Sequence, residues 1–266
     1  MMSNRLPTYF ISHGGGPWPW LPDRRKMMAT LETSLANMPS EIGVKPKAIL
    51  MVSGHWEGPD FAVMSSAHPP MVYDYGGFPA FTYQIKYSAP GSPAVAQRIE
   101  ELLKKAGLPT HLDGERGFDH GVFAPMQVMY PDADVPLLQV AINENYDPAA
   151  HFALGRALAP LRDEGVLIVG SGLSYHNLRL FGEPGRVPSA EFDKWLDHAL
   201  MADPKTREAE LLKWESAPYA RVCHPQEDHL VPLFAAVGAA ENEKAKRVYH
   251  DTEVSGAITA SSYRFG

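Results

Sequence analysis

The sequence predicts an α/β fold: three layers, α/β/α, around a central mixed or mostly parallel sheet, in one catalytic domain spanning residues 1–266. Three observations point there. Several short apolar runs lack the alternation of a half-exposed strand, which suits strands buried on both faces. Amphipathic segments with end signals lie between those runs. No repeat of roughly 20–50 residues and no low-complexity linker divides the chain, and its prolines and glycines are scattered as turn punctuation.

The first predicted strand is Thr8–Ser12, which runs into His13-Gly14-Gly15-Gly16. The second, Ala48–Ser53, ends at Gly54-His55. A helix is predicted over Ala94–Ala106, because Ser92 can cap it, Pro93 suits its first turn and Gly107 lies past its end. Pro136–Ile142 is the third strand and His151–Arg162 the next helix. Val166–Val169 is the fourth strand and ends at Gly170-Ser171-Gly172. Ser189–Ala202 places Phe192, Trp195, Leu196, Ala199 and Leu200 on one helical face, with Ser189 as its cap. Pro204–Trp214 reads as a further helix. Strands alternating with helices gather ligands at the carboxyl ends of the strands. His13, His55 and the loop carrying His176 all follow predicted strands.

Composition excludes several classes. Hydrophobic residues make up 45% and charged residues 21%, so the chain is not disordered, collagen-like or a coiled coil. The formal charge of −7, with no Lys/Arg run, argues against a nucleic-acid partner. The longest apolar stretches, such as Ala48–Val52 and Gly165–Gly170, are far shorter than the ~18 residues of a membrane span. The N-terminus lacks the apolar run of a secretory signal, so a cytoplasmic protein with no membrane partner is expected. The single cysteine, Cys223, excludes an internal disulfide and every Cys-based zinc module. A metal here must be held by imidazole and carboxylate.

Histidine is the unusual entry in the composition, at eleven. His68, His111, His151, His198 and His250 read as surface or satisfied core residues. His13, His55, His120, His176, His224 and His229 differ, because most are flanked by glycine or follow a strand, where backbone can come close to a ligand. His224 and His229 are five apart and do not form His-Glu-x-x-His. Gly170-Ser171-Gly172 lacks the Gly-x-Ser-x-Gly spacing, and there is no P-loop and no Gly-x-Gly-x-x-Gly. The reading that survives is a set of neutral imidazoles around one divalent metal. The role of His224 stays open.

Eight stretches then carry a resemblance. They are Ser12-His13-Gly14, Ser53-Gly54-His55-Trp56, Tyr73-Asp74-Tyr75-Gly76-Gly77-Phe78-Pro79 and Tyr87-Ser88-Ala89-Pro90-Gly91-Ser92-Pro93, followed by Gly117-Phe118-Asp119-His120-Gly121. Met129-Tyr130-Pro131-Asp132-Ala133-Asp134-Val135-Pro136 comes next, then Gly170-Ser171-Gly172 through His176-Asn177-Leu178, and Glu227-Asp228-His229-Leu230-Val231-Pro232-Leu233. In this order they resemble the class III extradiol ring-cleaving dioxygenases of the LigB type, in the stand-alone DOPA-4,5-dioxygenase branch. The resemblance implies a mononuclear non-haem Fe(II) centre with His13, His55 and His229 as metal ligands. His176 matches an acid/base that can also reach the metal, and His120 matches a histidine contacting the substrate oxygens or dioxygen. In the protocatechuate branch the third ligand is a glutamate, so Glu227 is the alternative to His229; with His229 as ligand, Glu227 would stand behind it or serve as an acid at a helix N-terminus.

The implied reaction puts both atoms of O2 into a small, DOPA-like catechol to give a muconic semialdehyde. A homodimer is left open. Zn(II) outranks Fe(II) in affinity for such sites and is expected in purified protein. The alternative is a zinc-binding, non-redox relative acting as a hydrolase or an interaction protein. Gly54 and Phe123 depart from the plainest family pattern, where Ala and Trp are more usual. Trp18, Trp20, Trp56, Tyr73, Tyr75, Phe78 and Phe118 form a pool of aromatics for a ring-shaped pocket. Of these, Trp18, Trp20 and Trp56 are the preferred wall residues because each closely follows a ligand histidine.

Overall fold

A computed structural model describes residues 5–266. Its strands are β1 (Thr8–Ser12), β2 (Ala48–Gly58), β3 (Val63–Met64), β4 (Leu112–Asp113), β5 (Leu137–Asn143), β6 (Val166–Gly172), β7 (Ala245–Val254) and β8 (Ile258–Phe265). They form one sheet in the order β4-β3-β5-β2-β6-β1-β8-β7. The centre, β5-β2-β6-β1, is parallel. The hairpin β7–β8 and the short β3 add antiparallel pairings at the two sides, so the sheet is mixed. The four predicted strands are the four central ones. Every residue of β1 and β6 is buried, which is why their sequences do not alternate.

Two strands outrun their predicted ends. β6 includes Gly170-Ser171-Gly172, and β2 continues to Gly58. His55 therefore lies inside β2, in the stretch where the register with β5 shifts, and not in a loop after it. The hairpin was not legible because β7 is largely exposed and polar and has no apolar run.

The helices are α1 (Pro22–Met27), α2 (Ala29–Ile42), α3 (Pro93–Lys105), α4 (His120–Met129), α5 (Pro148–Leu158), α6 (Arg186–Met201), α7 (Pro204–Leu211), α8 (Ala220–Cys223) and α9 (Val231–Gly238). Ser92 caps α3 as expected, its hydroxyl accepting the Val95 N–H at 3.4 Å. Ser189 does not cap α6. That helix starts three residues earlier, with Pro188 tolerated in its first turn, and the Ser189 hydroxyl donates to the Arg186 carbonyl at 3.1 Å. Two predicted helices each break into a helix and a 3-10 turn, at Ala159–Arg162 and Trp214–Ser216. α9 is buried on every side, so it has no amphipathic period to read. No helix among the described residues is long and apolar enough to cross a membrane.

His151 is a satisfied core histidine, as its setting predicts. Its Nε2 accepts the Asn143 N–H at 3.1 Å, and its Nδ1 lies 2.8 Å from the Asp147 carbonyl oxygen. Burial lowers its pKa from 6.5 to about 4. The unfolded chain therefore takes up this proton first as pH falls. The stabilisation is complete above pH 6.5 and is lost toward pH 4, by about 3 kcal/mol. Urea midpoints for wild type and His151→Gln between pH 7 and pH 4 test this. The variant should lose less stability across the window, and equal slopes would overturn the assignment.

Candidate metal centre

The site lies where the central strands end, and each histidine reaches it by a different route. His13 follows β1. The chain then turns through Gly14, at φ 78°, and Trp18 returns to donate its indole N–H to the His13 carbonyl at 2.8 Å. A Cβ at Gly14 would sit 2.4 Å from that indole nitrogen, so only glycine fits this turn.

His55 and His120 are tied together. The His55 carbonyl accepts from Arg116 Nη2 at 3.1 Å, and the same nitrogen donates to Asp119 Oδ2 at 2.6 Å. Asp119 Oδ1 accepts the Ser53 hydroxyl at 3.0 Å. Burial pushes the Asp119 carboxyl up, and the Arg116 guanidinium works against that. This buried link fixes β2 to the start of α4, whose first residue is His120. Asp74 then spans the two imidazoles, with Oδ1 2.9 Å from His120 Nδ1 and Oδ2 3.2 Å from His55 Nδ1.

His229 sits between β6 and α9. Its carbonyl accepts the Leu173 N–H at 3.0 Å. A Cβ at Gly172 would lie 2.0 Å from that carbonyl oxygen, and one at Gly170 would lie 2.2 Å from the Pro232 oxygen. The glycines of Gly170-Ser171-Gly172 thus admit the backbone around α9, whereas the sequence reading assigned them to a ligand. Gly54 has the same explanation, since a Cβ there would be 2.7 Å from the Asp228 carbonyl oxygen. His176 is pinned by its N–H to the Cys223 carbonyl at 3.0 Å, with Asn177 Nδ2 donating to Val222 O at 2.7 Å. Asp228 spans the second pair: Oδ2 is 2.6 Å from His229 Nδ1 and Oδ1 is 3.7 Å from His176 Nδ1. The His176 and His229 rings stack at 3.4 Å between centroids.

Among the described residues two groups of metal-capable side chains result, His13–His55–His120 and His176–Asp228–His229. They meet where His229 Nε2 lies 3.1 Å from His55 Nε2. Both Nδ1 atoms face carboxylates, which assigns the ring protons to Nδ1 and leaves a lone pair on each Nε2. Two lone pairs at that distance call for a cation. Nitrogens about 2.1 Å from one ion stand roughly 3.0–3.4 Å apart at octahedral to tetrahedral angles. His13 adds a second argument, because it is buried and neither ring nitrogen has a hydrogen-bond partner among the described residues. Burial, reinforced by the other imidazoles, keeps His13 and His55 neutral far below the usual range. Burial also lowers His229 to about 4, with Asp228 opposing. Although burial opposes it, the His229 and His176 imidazoles hold the Asp228 carboxyl well below its usual value. Neutral imidazoles backed by carboxylates are a fitting donor set for a divalent metal.

Several expectations need correction. Glu227 is not behind His229; its carboxylate is paired with Arg221. The acids beside the histidines are Asp74 and Asp228, which the sequence reading passed over. The signal was available: each ligand imidazole needs an acceptor at its second nitrogen, and Asp228 directly precedes His229. Trp18 is fully buried, Trp56 lies under Arg116 with its ring 5.1 Å from the guanidinium carbon, and Trp20 packs on Phe123 at 5.8 Å. None of the three lines the cavity of about 770 Å³ over the site, whose aromatic lining is Tyr75, Phe78, Phe181 and Tyr249. His224 is a core residue: its Nε2 lies 3.0 Å from the Ser174 carbonyl oxygen, and its ring packs against Phe192.

The family described as the catalytic LigB subunit of aromatic ring-opening dioxygenase matches residues 22–266. A 4,5-DOPA dioxygenase extradiol from Beta vulgaris is 42% identical, over 98% of this chain and 97% of its own length. One from Escherichia coli K12 is 34% identical, over 100% and 97%. The solved structure of an uncharacterized protein from Escherichia coli K12 superposes with a TM-score of 0.79 at 31% identity, covering 98% of this chain and all of that one.

Proposed function

Because this chain belongs to the LigB family of aromatic ring-opening dioxygenases, we propose that it opens a small, DOPA-like catechol with Fe(II) held by His13, His55 and His229. Its class is that of an extradiol, metal-dependent dioxygenase acting on a catechol and O2. The observation that carries the ligand set is the opposed Nε2 atoms of His55 and His229 beside the unpartnered ring of His13. The relatives described as 4,5-DOPA dioxygenases motivate the DOPA-like substrate. A zinc-dependent hydrolase or interaction protein is not favoured, since the relatives described above by function are dioxygenases. The cytoplasm is the expected compartment, consistent with a buried thiol at Cys223 that burial makes unreactive.

When bound, Fe(II) would supply adjacent open positions for a diol and for O2, making their reaction intramolecular. His176 takes a phenolic proton as the diol enters and returns one to the leaving oxygen at ring opening. Asp228 stands 3.7 Å from its Nδ1 and orients the ring. His120, fixed through Nδ1 by Asp74, presents its Nε2 edge to the oxygens and steadies negative charge as it develops. The lining of Tyr75 and Phe78 accepts the aromatic ring and excludes water from one side.

Metal exchange tests the reading. Protein stripped by a chelator and reloaded anaerobically with Fe(II) should consume O2 and form a yellow product when air and a catechol are added. Protein reloaded with Zn(II) should bind the metal and do neither. Stoichiometric Fe(II) binding without O2 uptake on any catechol would defeat the assignment.

A further inference from the structure

Among the described residues that line the cavity, Arg24 is the only lysine or arginine. It is exposed on α1, and its guanidinium carbon lies 4.9 Å over the Phe78 ring. Its neighbour Arg25 is engaged by Glu32, with Nε 2.9 Å from Oε1. Arg24 has no such acid partner among the described residues. The aromatic wall links this cation to the floor: Phe78 packs on Tyr75 at 5.3 Å between centroids, and Tyr75 on His120 at 6.0 Å. Exposed Met27 and Leu178 add apolar surface to the rim. A cavity of about 770 Å³ is in the range that drug-sized ligands fill and is larger than a bare catechol requires.

We infer that Arg24 is a specificity-determining residue that binds a carboxylate at the end of the substrate's side arm, with the arm lying along the Phe78–Tyr75 wall. The placement of the diol on the histidine floor rests on the ring-opening reading; the recognition of the anion does not. A guanidinium presents a planar fork to a carboxylate. Held over an aromatic face it is already oriented and loses little freedom on binding. Asp74 and Asp228 are engaged by the imidazoles, so without Arg24 an anionic arm would meet only like charge from Glu57 and Asp251 on the remaining wall.

The test is a pair of ligands of one shape. 3,4-Dihydroxycinnamate and its carboxamide share one shape, and the amide removes the charge and replaces one acceptor oxygen with an NH2 group. Anaerobic calorimetric titrations with each should show wild type preferring the acid by about ten- to a hundredfold, as expected for a charge-assisted hydrogen-bonded pair. Arg24→Met keeps the apolar stem and should bring the ratio close to one, while Arg24→Lys should keep part of it. Circular dichroism and thermal melts check that both variants are folded. A ratio near one in wild type, no binding of either ligand, or an unchanged ratio in Arg24→Met would overturn the proposal. O2 uptake is measured separately: acid-selective binding without ring opening would defeat the activity and leave the role of Arg24 standing.

Discussion

Replacing His176 with alanine is expected to lower catechol ring opening by about two to four orders of magnitude, the usual worth of a positioned acid/base, while the protein still binds metal stoichiometrically. The two effects separate because it is the Nε2 of His229, not of His176, that stands 3.1 Å from His55 Nε2, with His176 stacked on the outer side of His229. Its loss leaves Asp228 bound to His229 at 2.6 Å, so the orientation of that proposed ligand survives. Substrate proton uptake and product protonation lose their carrier, and kcat should fall more than KM rises. Anaerobic metal analysis beside single-turnover product formation gives both readouts. Complete metal loss in His176→Ala would show that this residue is a ligand and that the acid/base lies elsewhere.

His13→Ala should behave in the opposite way. Metal affinity should fall by more than the ten- to hundredfold typical of groups behind a ligand, and ring opening with it, while the metal-free protein keeps close to its wild-type melting temperature. The ring of His13 makes no hydrogen bond among the described residues, so removing it leaves no broken partner, and the space opens into an existing cavity. The metal-induced rise in melting temperature should vanish, because that rise is binding free energy added to the folded state. A large fall in stability without metal would mean that His13 is a packing residue.

The fold was legible where burial leaves a mark in composition. The unalternating runs at β1, β2, β5 and β6 identified the parallel centre, and Ser92-Pro93 announced α3 through local backbone chemistry. The hairpin and α9 were not legible, for opposite reasons: β7 is mostly exposed and α9 is entirely buried, and neither carries an amphipathic period. In the site, glycine neighbours singled out the histidines, but for a reason that misassigned the glycines. At Gly54, Gly170 and Gly172 the missing side chain makes room for the backbone around Asp228, His229 and α9, a contact between distant segments that no local pattern encodes. The carboxylates were missed because an aspartate is ordinary in any loop. Adjacency to His229 hinted at Asp228, but the distances are what mark Asp74 and Asp228, each reaching two imidazoles.

The sheet order also sets a timetable for synthesis. β1 and β2, which deliver His13 and His55, are not neighbours; β6 lies between them and pairs with both. A nascent chain that has not yet emerged through Gly172 cannot bring those two imidazoles to their final spacing. His229 arrives later still, packed against the glycines at the end of that same strand. With His13, His55 and His229 as the proposed ligands, metal capture would be a late event, open only to a chain whose translation is nearly complete, and a truncated product would carry the first histidines without a place to hold the ion.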